Sequence, residues 1–332
     1  MTAAPETRIL TRSDVARLLS LDVCIAAVER AFQLHAEGQA LGPGVIGVHS
    51  GGGGFHIKAA GLPLGRSYFA AKTNANFSGN PARFGLPAIQ GVIVLADAEN
   101  GAVLAVMDSI EITILRTGAA TAVAAKHLAR KHSSVATICG CGNQGRVQLR
   151  ALSRVLPVRL VRAVDQDRGR AQAFATELAQ ELGIEITAGT DLGAAARSSD
   201  AIVTCTPSRR PILAAGDVRP GAFIAAVGAD SEDKQELEPA LLGNATLVVD
   251  IEEQCAAIGE LHHALAAGVL TRADVHAELG AVVSGRRPGR RTEEEITVFD
   301  STGTALQDVA AAAAVYEKAV AQGPGMAVRL GV

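Results

Sequence analysis

Apolar residues first recur at helical spacing, as Val15, Leu18 and Leu19 and then Ile25, Val28 and Phe32. Two short helices are predicted within residues 13–37, with Ser13 and Asp22 as N-caps and Gly38 as the stop. From Val45 the period falls to two. The runs Val45–Val48, Phe55–Ala59, Tyr68–Asn74, Gly91–Asp97 and Val103–Met107 are punctuated by the glycines 51–54 and the hairpin-type turn Glu99-Asn-Gly101, which predicts a mostly antiparallel sheet. Asp108-Ser-Ile-Glu111 has the form of a capping box and opens an alanine-rich helix reaching about Ala129. Beyond it, strands at 135–139, 159–164, 184–187, 201–204, 222–226 and 246–250 alternate with helical stretches, the order a parallel doubly wound sheet requires. A further short strand, Ile296–Phe299, and an alanine-rich helix, Ala305–Gln322, follow.

The first strand of the second half stops at a glycine-rich turn, Val135-Ala-Thr-Ile-Cys-Gly-Cys-Gly-Asn-Gln-Gly145, before a helical stretch from Arg146 to Leu156. Gly140 permits the turn, Gly142 lets backbone N–H groups approach a pyrophosphate, and Gly145 allows close helix–strand packing. Asn143 and Gln144 would line that pyrophosphate. The next apolar run, Leu160–Asp165, ends in an acid twenty residues after Gly145, where a dinucleotide needs an acceptor for its ribose hydroxyls. A carboxylate there repels a 2′-phosphate, so the cofactor read from Asp165 is NAD, with Arg168 close enough to leave NADP possible.

At 332 residues the chain is long for a single domain. The first sheet has too few helices to cover it, so Ala305–Gln322 is predicted to return to it about a hinge near Gly303. The resulting fold class is α/β: a doubly wound Rossmann domain over 121–304, beside a discontinuous α+β substrate-binding and dimerisation domain over 1–120 and 305–332. A net charge of −3 supplies no field to recruit nucleic acid or an anionic membrane. Arg286-Arg-Pro-Gly-Arg-Arg291 lacks the aromatic residues of a nucleic-acid platform and reads as a solvated loop. Five scattered cysteines fit reduced thiols, and Cys139-x-Cys141 has no second pair or nearby histidine to complete a metal set. Residues 1–7 lack the basic start and apolar core of a signal peptide, so a cytoplasmic location is expected.

Three charged residues stand in apolar surroundings. Lys72, in Phe69-Ala-Ala-Lys72, must either reach water at the sheet edge or meet an anion in a cleft. Arg116, beside Ile114, Leu115 and Ala119, needs a carboxylate or phosphate partner, within the protein or on a ligand. Asp230 follows the apolar strand 222–227 and either caps a helix or works at the carboxyl edge of the sheet, where such folds bind ligands.

Lys72, then Asp108-Ser-Ile-Glu-Ile-Thr-Ile-Leu-Arg-Thr-Gly-Ala-Ala120, the glycine turn, Val227-Gly-Ala-Asp230 with Lys234-Gln-Glu-Leu237, and Phe299-Asp-Ser-Thr-Gly303 together resemble the ornithine cyclodeaminase and μ-crystallin family. The similarity spans nearly the whole chain. It implies hydride chemistry at the α-carbon of an amino or imino acid, in a homodimer whose substrate-domain sheet pairs with its twofold mate. By the same resemblance, Lys72 and Arg116 meet the substrate carboxylate and Asp230 manages the proton on nitrogen, while Thr117, Lys234 and Ser301 surround the cofactor.

Two departures from the cyclodeaminase pattern bear on the substrate. Pro43-Gly-Val-Ile46 stands where those enzymes carry an arginine for the carboxylate, and His56 where they carry an acid for the distal ammonium. Lys58, two residues beyond His56 and on the same face of a strand, would replace the lost arginine. His56 either faces solvent or accommodates a neutral or anionic side chain. The expected activity is therefore that of an amino-acid dehydrogenase or ketimine reductase on a small L-amino acid or its cyclic imine. The alternatives are a redox-neutral cyclodeaminase releasing ammonia from a diamino acid such as ornithine, and a crystallin-like dinucleotide binder without turnover.

Overall fold

The computed structural model describes residues 6–330, so positions 1–5 of the leader reading and the last two positions of the expected first domain lie outside the described residues. The chain divides into two compact units, one formed by Met1–Arg116 with Thr304–Val332 and the other by Thr117–Gly303.

In the first unit the strands are β1 (Thr7–Leu10), β2 (Leu41–Ser50), β3 (Gly53–Leu64), β4 (Arg66–Asn76), β5 (Ile89–Asp97) and β6 (Val103–Asp108). With Met326–Val328 they form one sheet in the order Met326–Val328, β1, β6, β5, β4, β3, β2. Every pairing is antiparallel except β1 with β6. The strand period sorts the side chains cleanly. Ala60, Leu62, Tyr68, Ala70, Ile93 and Leu95 are buried on one face, against which the helices Ala305–Gln322 and Leu21–Ala36 pack. The terminal helix thus belongs to this unit, and its buried stripe includes Leu306, Val309, Ala313 and Val315.

Several local expectations need correction. The N-caps are Thr11 and Ser20, not Ser13 and Asp22, because Thr11 and Asp14 close a capping box two residues earlier. The helix Ile110–Leu128 starts with Asp108 accepting from the Ile110 N–H at 2.9 Å, while Glu111 turns away to pair with Arg12 instead of reaching back to the cap. The strands β1 and Met326–Val328 were not anticipated, since three or four residues carry too few positions to display a period of two. β2 and β3 outrun the predicted spans through Gly- and Pro-containing ends, and β4 runs two residues further at each end, through Arg66-Ser67 and Ala75-Asn76.

The second unit holds β7 (Val135–Cys139), β8 (Leu160–Val164), β9 (Glu185–Gly189), β10 (Ala201–Thr204), β11 (Arg209–Leu213), β12 (Phe223–Ala226), β13 (Gln235–Leu237), β14 (Thr246–Val249), β15 (Ala277–Glu278) and β16 (Thr297–Asp300). The main sheet runs β15, β14, β16, β12, β10, β7, β8, β9, with every pairing parallel. It has eight strands rather than six. The last strand in sequence, β16, inserts between β12 and β14 and is fully buried, a position its apolar run does not reveal. β11 and β13 form a separate pair that was not foreseen. The strand order reverses direction between β7 and β10, so the carboxyl ends of these two strands border the switch point where doubly wound sheets take ligands.

Candidate active site

In the second unit the glycine turn lies at the carboxyl end of β7. Gly140 has a φ of 101°, and a Cβ there would stand 2.8 Å from the Cys205 carbonyl oxygen, so only glycine makes this turn. The helix begins at Asn143, three residues before the predicted start, with Gly142 at its N-cap and no side chain capping it. Gly145 therefore lies inside the first turn, where a Cβ would collide with the Gly140 carbonyl oxygen. A Cβ on Gly142 would meet nothing within 4 Å. The uncapped N-terminus of a thirteen-residue helix, behind an open exposed glycine, is a cradle that fits a pyrophosphate. Asn143 is exposed and Gln144 half-buried at this terminus.

Asp165 ends β8 beside the turn. Its Oδ2 accepts from the Cys141 N–H at 2.9 Å and its Oδ1 from the Asp167 N–H at 3.0 Å, so it braces the glycine turn as well as standing where a ribose acceptor belongs. Cys139 and Cys141 are buried packing groups, and burial pushes the Cys141 thiol up to about 12. Thr117 precedes Gly118, whose absent Cβ lets the helix Ile110–Leu128 approach the Val147 side chain at the start of the helix after the turn.

The loop after β12 carries Asp230, which is exposed and accepts from the Lys234 ammonium. A fully buried acid missed by sequence reasoning, Glu236, organises this loop. Its Oε1 accepts from the Thr206 N–H at 2.7 Å and its Oε2 from the Gly228 N–H at 2.8 Å, tying the ends of β10 and β12 together. Glu260 in turn accepts from the backbone N–H groups of Glu236 and Leu237. Burial raises both carboxyls above their usual range. Ser301, at the end of β16, is held by its N–H on the Ala226 carbonyl at 2.9 Å.

In the first unit Lys58 and Lys72 are direct cross-strand partners on β3 and β4, and both are buried. Neither alternative for Lys72 taken alone describes what is found. It is 3% exposed and paired with Asp308 of the terminal helix, 2.7 Å from its Oδ2. Arg116 also lies against Asp308, with its Nε 3.3 Å from Oδ1, and donates from Nη1 to Gln307 Oε1 at 2.9 Å. Burial pulls the Lys72 ammonium down to about 7; Asp308 opposes this, while Arg116 and Lys58 add to it. Burial pushes the Asp308 carboxyl upward, but Lys72, Arg116 and Lys58 together hold it below its usual value. His56 shares this sheet face opposite Asn74 and is half-buried.

The structure thus brings Lys58, Lys72 and Arg116 together in one unit, and Gly140, Gly142, Asn143, Gln144, Gly145 and Asp165 together in the other. Asp308 and Gln307 were overlooked because an alanine-rich helix reads as packing, although adjacent polar residues in such a stretch were the available signal. A cavity of about 530 Å³ on the outward face of the first unit's sheet, lined by Phe55, Thr73, Gln90 and Val92, contains none of the expected site residues. Among the described residues no helix is long and apolar enough to cross a membrane.

A parallel doubly wound sheet with a glycine cradle at its switch point, joined to an α+β unit holding a buried lysine–arginine–aspartate cluster, defines a two-domain enzyme of dinucleotide-binding architecture. The pattern of the ornithine cyclodeaminase/mu-crystallin family matches residues 5–323, and the chain belongs to that family. The alanine dehydrogenase of Archaeoglobus fulgidus is 42% identical over 324 residues, covering 98% of both chains. Among solved structures, an archaeal alanine dehydrogenase dimer with bound NAD is similar at a TM-score of 0.94 and 42% identity, over 98% of this chain and 99% of that one. Thermococcus litoralis Δ1-pyrroline-2-carboxylate reductase, in complex with NADH and L-proline, follows at 0.92 and 35% identity, over 97% and 100%.

Proposed function

We propose that this protein is an NAD-dependent oxidoreductase acting at the α-carbon of a small L-amino acid or of the corresponding imino acid. The observation that carries the reading is the buried cluster of Lys58, Lys72 and Arg116, the last two against Asp308. Basic side chains gathered in a buried pocket make a site electrostatically suited to a carboxylate. Lys72, Arg116 and Lys58 hold the substrate carboxylate, with His56 beside its side chain. Asp230, exposed at the carboxyl edge of the sheet, takes a proton from the substrate ammonium or returns one to the amine, and Lys234 keeps it oriented.

The cradle of Gly140, Gly142, Asn143, Gln144 and Gly145 holds the pyrophosphate of NAD, Asp165 its ribose, and Thr117 and Ser301 line the rest. With NAD bound there, the chemistry supplied would be hydride exchange at the substrate α-carbon. Relatives whose structures hold NAD or NADH include an alanine dehydrogenase, a Δ1-pyrroline-2-carboxylate reductase and an iminosuccinate reductase, which supports a small, neutral or anionic side chain here. A screen of L-amino acids with NAD, and of cyclic imino acids with NADH, followed by NADH absorbance, tests the reading; no turnover in either direction would leave a binding protein only.

The same reading includes a homodimer. Ile46, Val48, Phe55, Phe69 and Val92 share the outward face of the first unit's sheet and are each at least 38% exposed, an apolar surface of the kind a second copy covers. β2, the last strand of that sheet, also offers a ten-residue edge.

A further inference from the structure

Asp308 and Gln307 are adjacent on the terminal helix, buried, and directed at the two cations assigned to the substrate carboxylate. The Lys72 ammonium lies 2.8 and 2.7 Å from the two Asp308 oxygens. Arg116 lies in ion-pair range of Asp308, its Nε 3.3 Å from Oδ1 without a hydrogen bond, and donates from Nη1 to Gln307, so Asp308 holds the charge in place and Gln307 orients the guanidinium. The Gln307 Nε2, wholly buried, has no acceptor among the described residues, so the amide is turned by its bond to Arg116 rather than satisfied on both sides. Without a carboxylate here, Lys58 and Lys72 would face each other as like charges on neighbouring strands, with Arg116 nearby.

We propose that Asp308 is a positioning residue for the substrate-carboxylate site, holding the Lys72 ammonium charged and in place, and that Gln307 fixes the orientation of Arg116. The inference rests on the reading that Lys72 and Arg116 receive the substrate carboxylate. The groups that face Lys72 are Lys58 and His56 from β3, Arg116 from the helix Ile110–Leu128, Asp308 from the terminal helix and, near Arg116 and Asp308, the Cys24 thiol, which burial pushes up to about 12. β5 contributes the apolar Ile93 opposite Lys72. Asp308 is therefore the group in this set that favours the charged lysine. Its removal lowers the Lys72 pKa and favours the neutral lysine at neutral pH.

The test uses the full-length protein, with Lys72→Ala assigning the lysine side-chain resonance in a carbon-detected titration. In Asp308→Asn the Lys72 titration moves down by roughly one unit or more, the alkaline limb of kcat/KM moves with it, and KM for the carboxylate substrate rises by about tenfold or more, while NADH affinity holds. Asp308→Glu restores both the titration and the limb. A purely structural loss would lower activity evenly at all pH values. A folded Asp308→Asn protein with an unmoved resonance and an unmoved limb overturns the proposal. Gln307→Met, which keeps the volume, serves if Asp308→Asn does not fold: a KM rise of about tenfold supports the pair, and an unchanged KM rejects it. Lys72→Ala distinguishes the underlying reading, because an unchanged KM in that variant removes the carboxylate site itself, whatever the resonance does.

Discussion

Lys58 and Lys72 lie directly opposite each other on adjacent antiparallel strands, 8% and 3% exposed, with Asp308 against the Lys72 ammonium. Like charges paired across strands destabilise a sheet. Burying such a pair makes sense where a ligand brings further negative charge. Substrates should therefore be ranked by side-chain charge.

A diamino acid such as ornithine places a second ammonium near this cluster. It should have a kcat/KM at least about tenfold below that of a neutral amino acid of similar size, a difference of about 1.4 kcal/mol. Steady-state comparison of ornithine with L-norvaline checks this, and equal values would show that the distal ammonium finds a partner.

Asp230→Asn preserves size and much of the hydrogen bonding but removes the exchangeable charge. Turnover should fall by roughly 10² to 10⁴, the usual worth of a positioned acid–base group, with little change in NADH affinity. If Asp230 were merely a loop anchor for Lys234, the folded variant would keep activity within about threefold, well inside that range.

Asp165→Ser should weaken NADH binding and narrow the preference over NADPH. Because Asp165 also receives the Cys141 and Asp167 N–H groups, the variant should lose about 1 kcal/mol of stability as well. Fluorescence titration of both cofactors separates the effects: a bracing role alone weakens NADH and NADPH equally, whereas the ribose role changes their ratio.

How much of this was legible in the sequence differs between the two units. The glycine turn, Asp165 and the alternating strands carry periodic or spaced signals, so the cradle and the parallel class of the second unit were readable, whereas its strand order, with β16 between β12 and β14, was not. The site in the first unit is assembled from positions 58, 72, 116 and 308, brought together by sheet register and by a helix returning from the far end of the chain. No local pattern records such a convergence. Lys72 and Arg116 stood out as charges in apolar runs and through the family resemblance, but their counter-ion did not. Asp308 and Glu236 share one physical mark, an acid where neighbours are apolar or paired to backbone N–H groups, and that mark becomes informative only once burial is known.

Dimerisation should be sensitive to charge on the outward sheet face. Phe69→Glu, at a position 38% exposed and away from the Lys72 face, should convert a dimer at micromolar concentration to a monomer in light scattering. A parent protein that is already a stable, soluble monomer would remove the dimer from the account.

The central claim is tested most directly by following the α-hydrogen. With an α-deuterated small L-amino acid identified by the substrate screen and with NAD, mass spectrometry should find deuterium in NADH, formed in equal amount to the 2-oxo acid and ammonia. Deuterium retained at the α-carbon of a cyclised product, with ammonia released and no net NADH, would make the protein a cyclodeaminase and contradict the account.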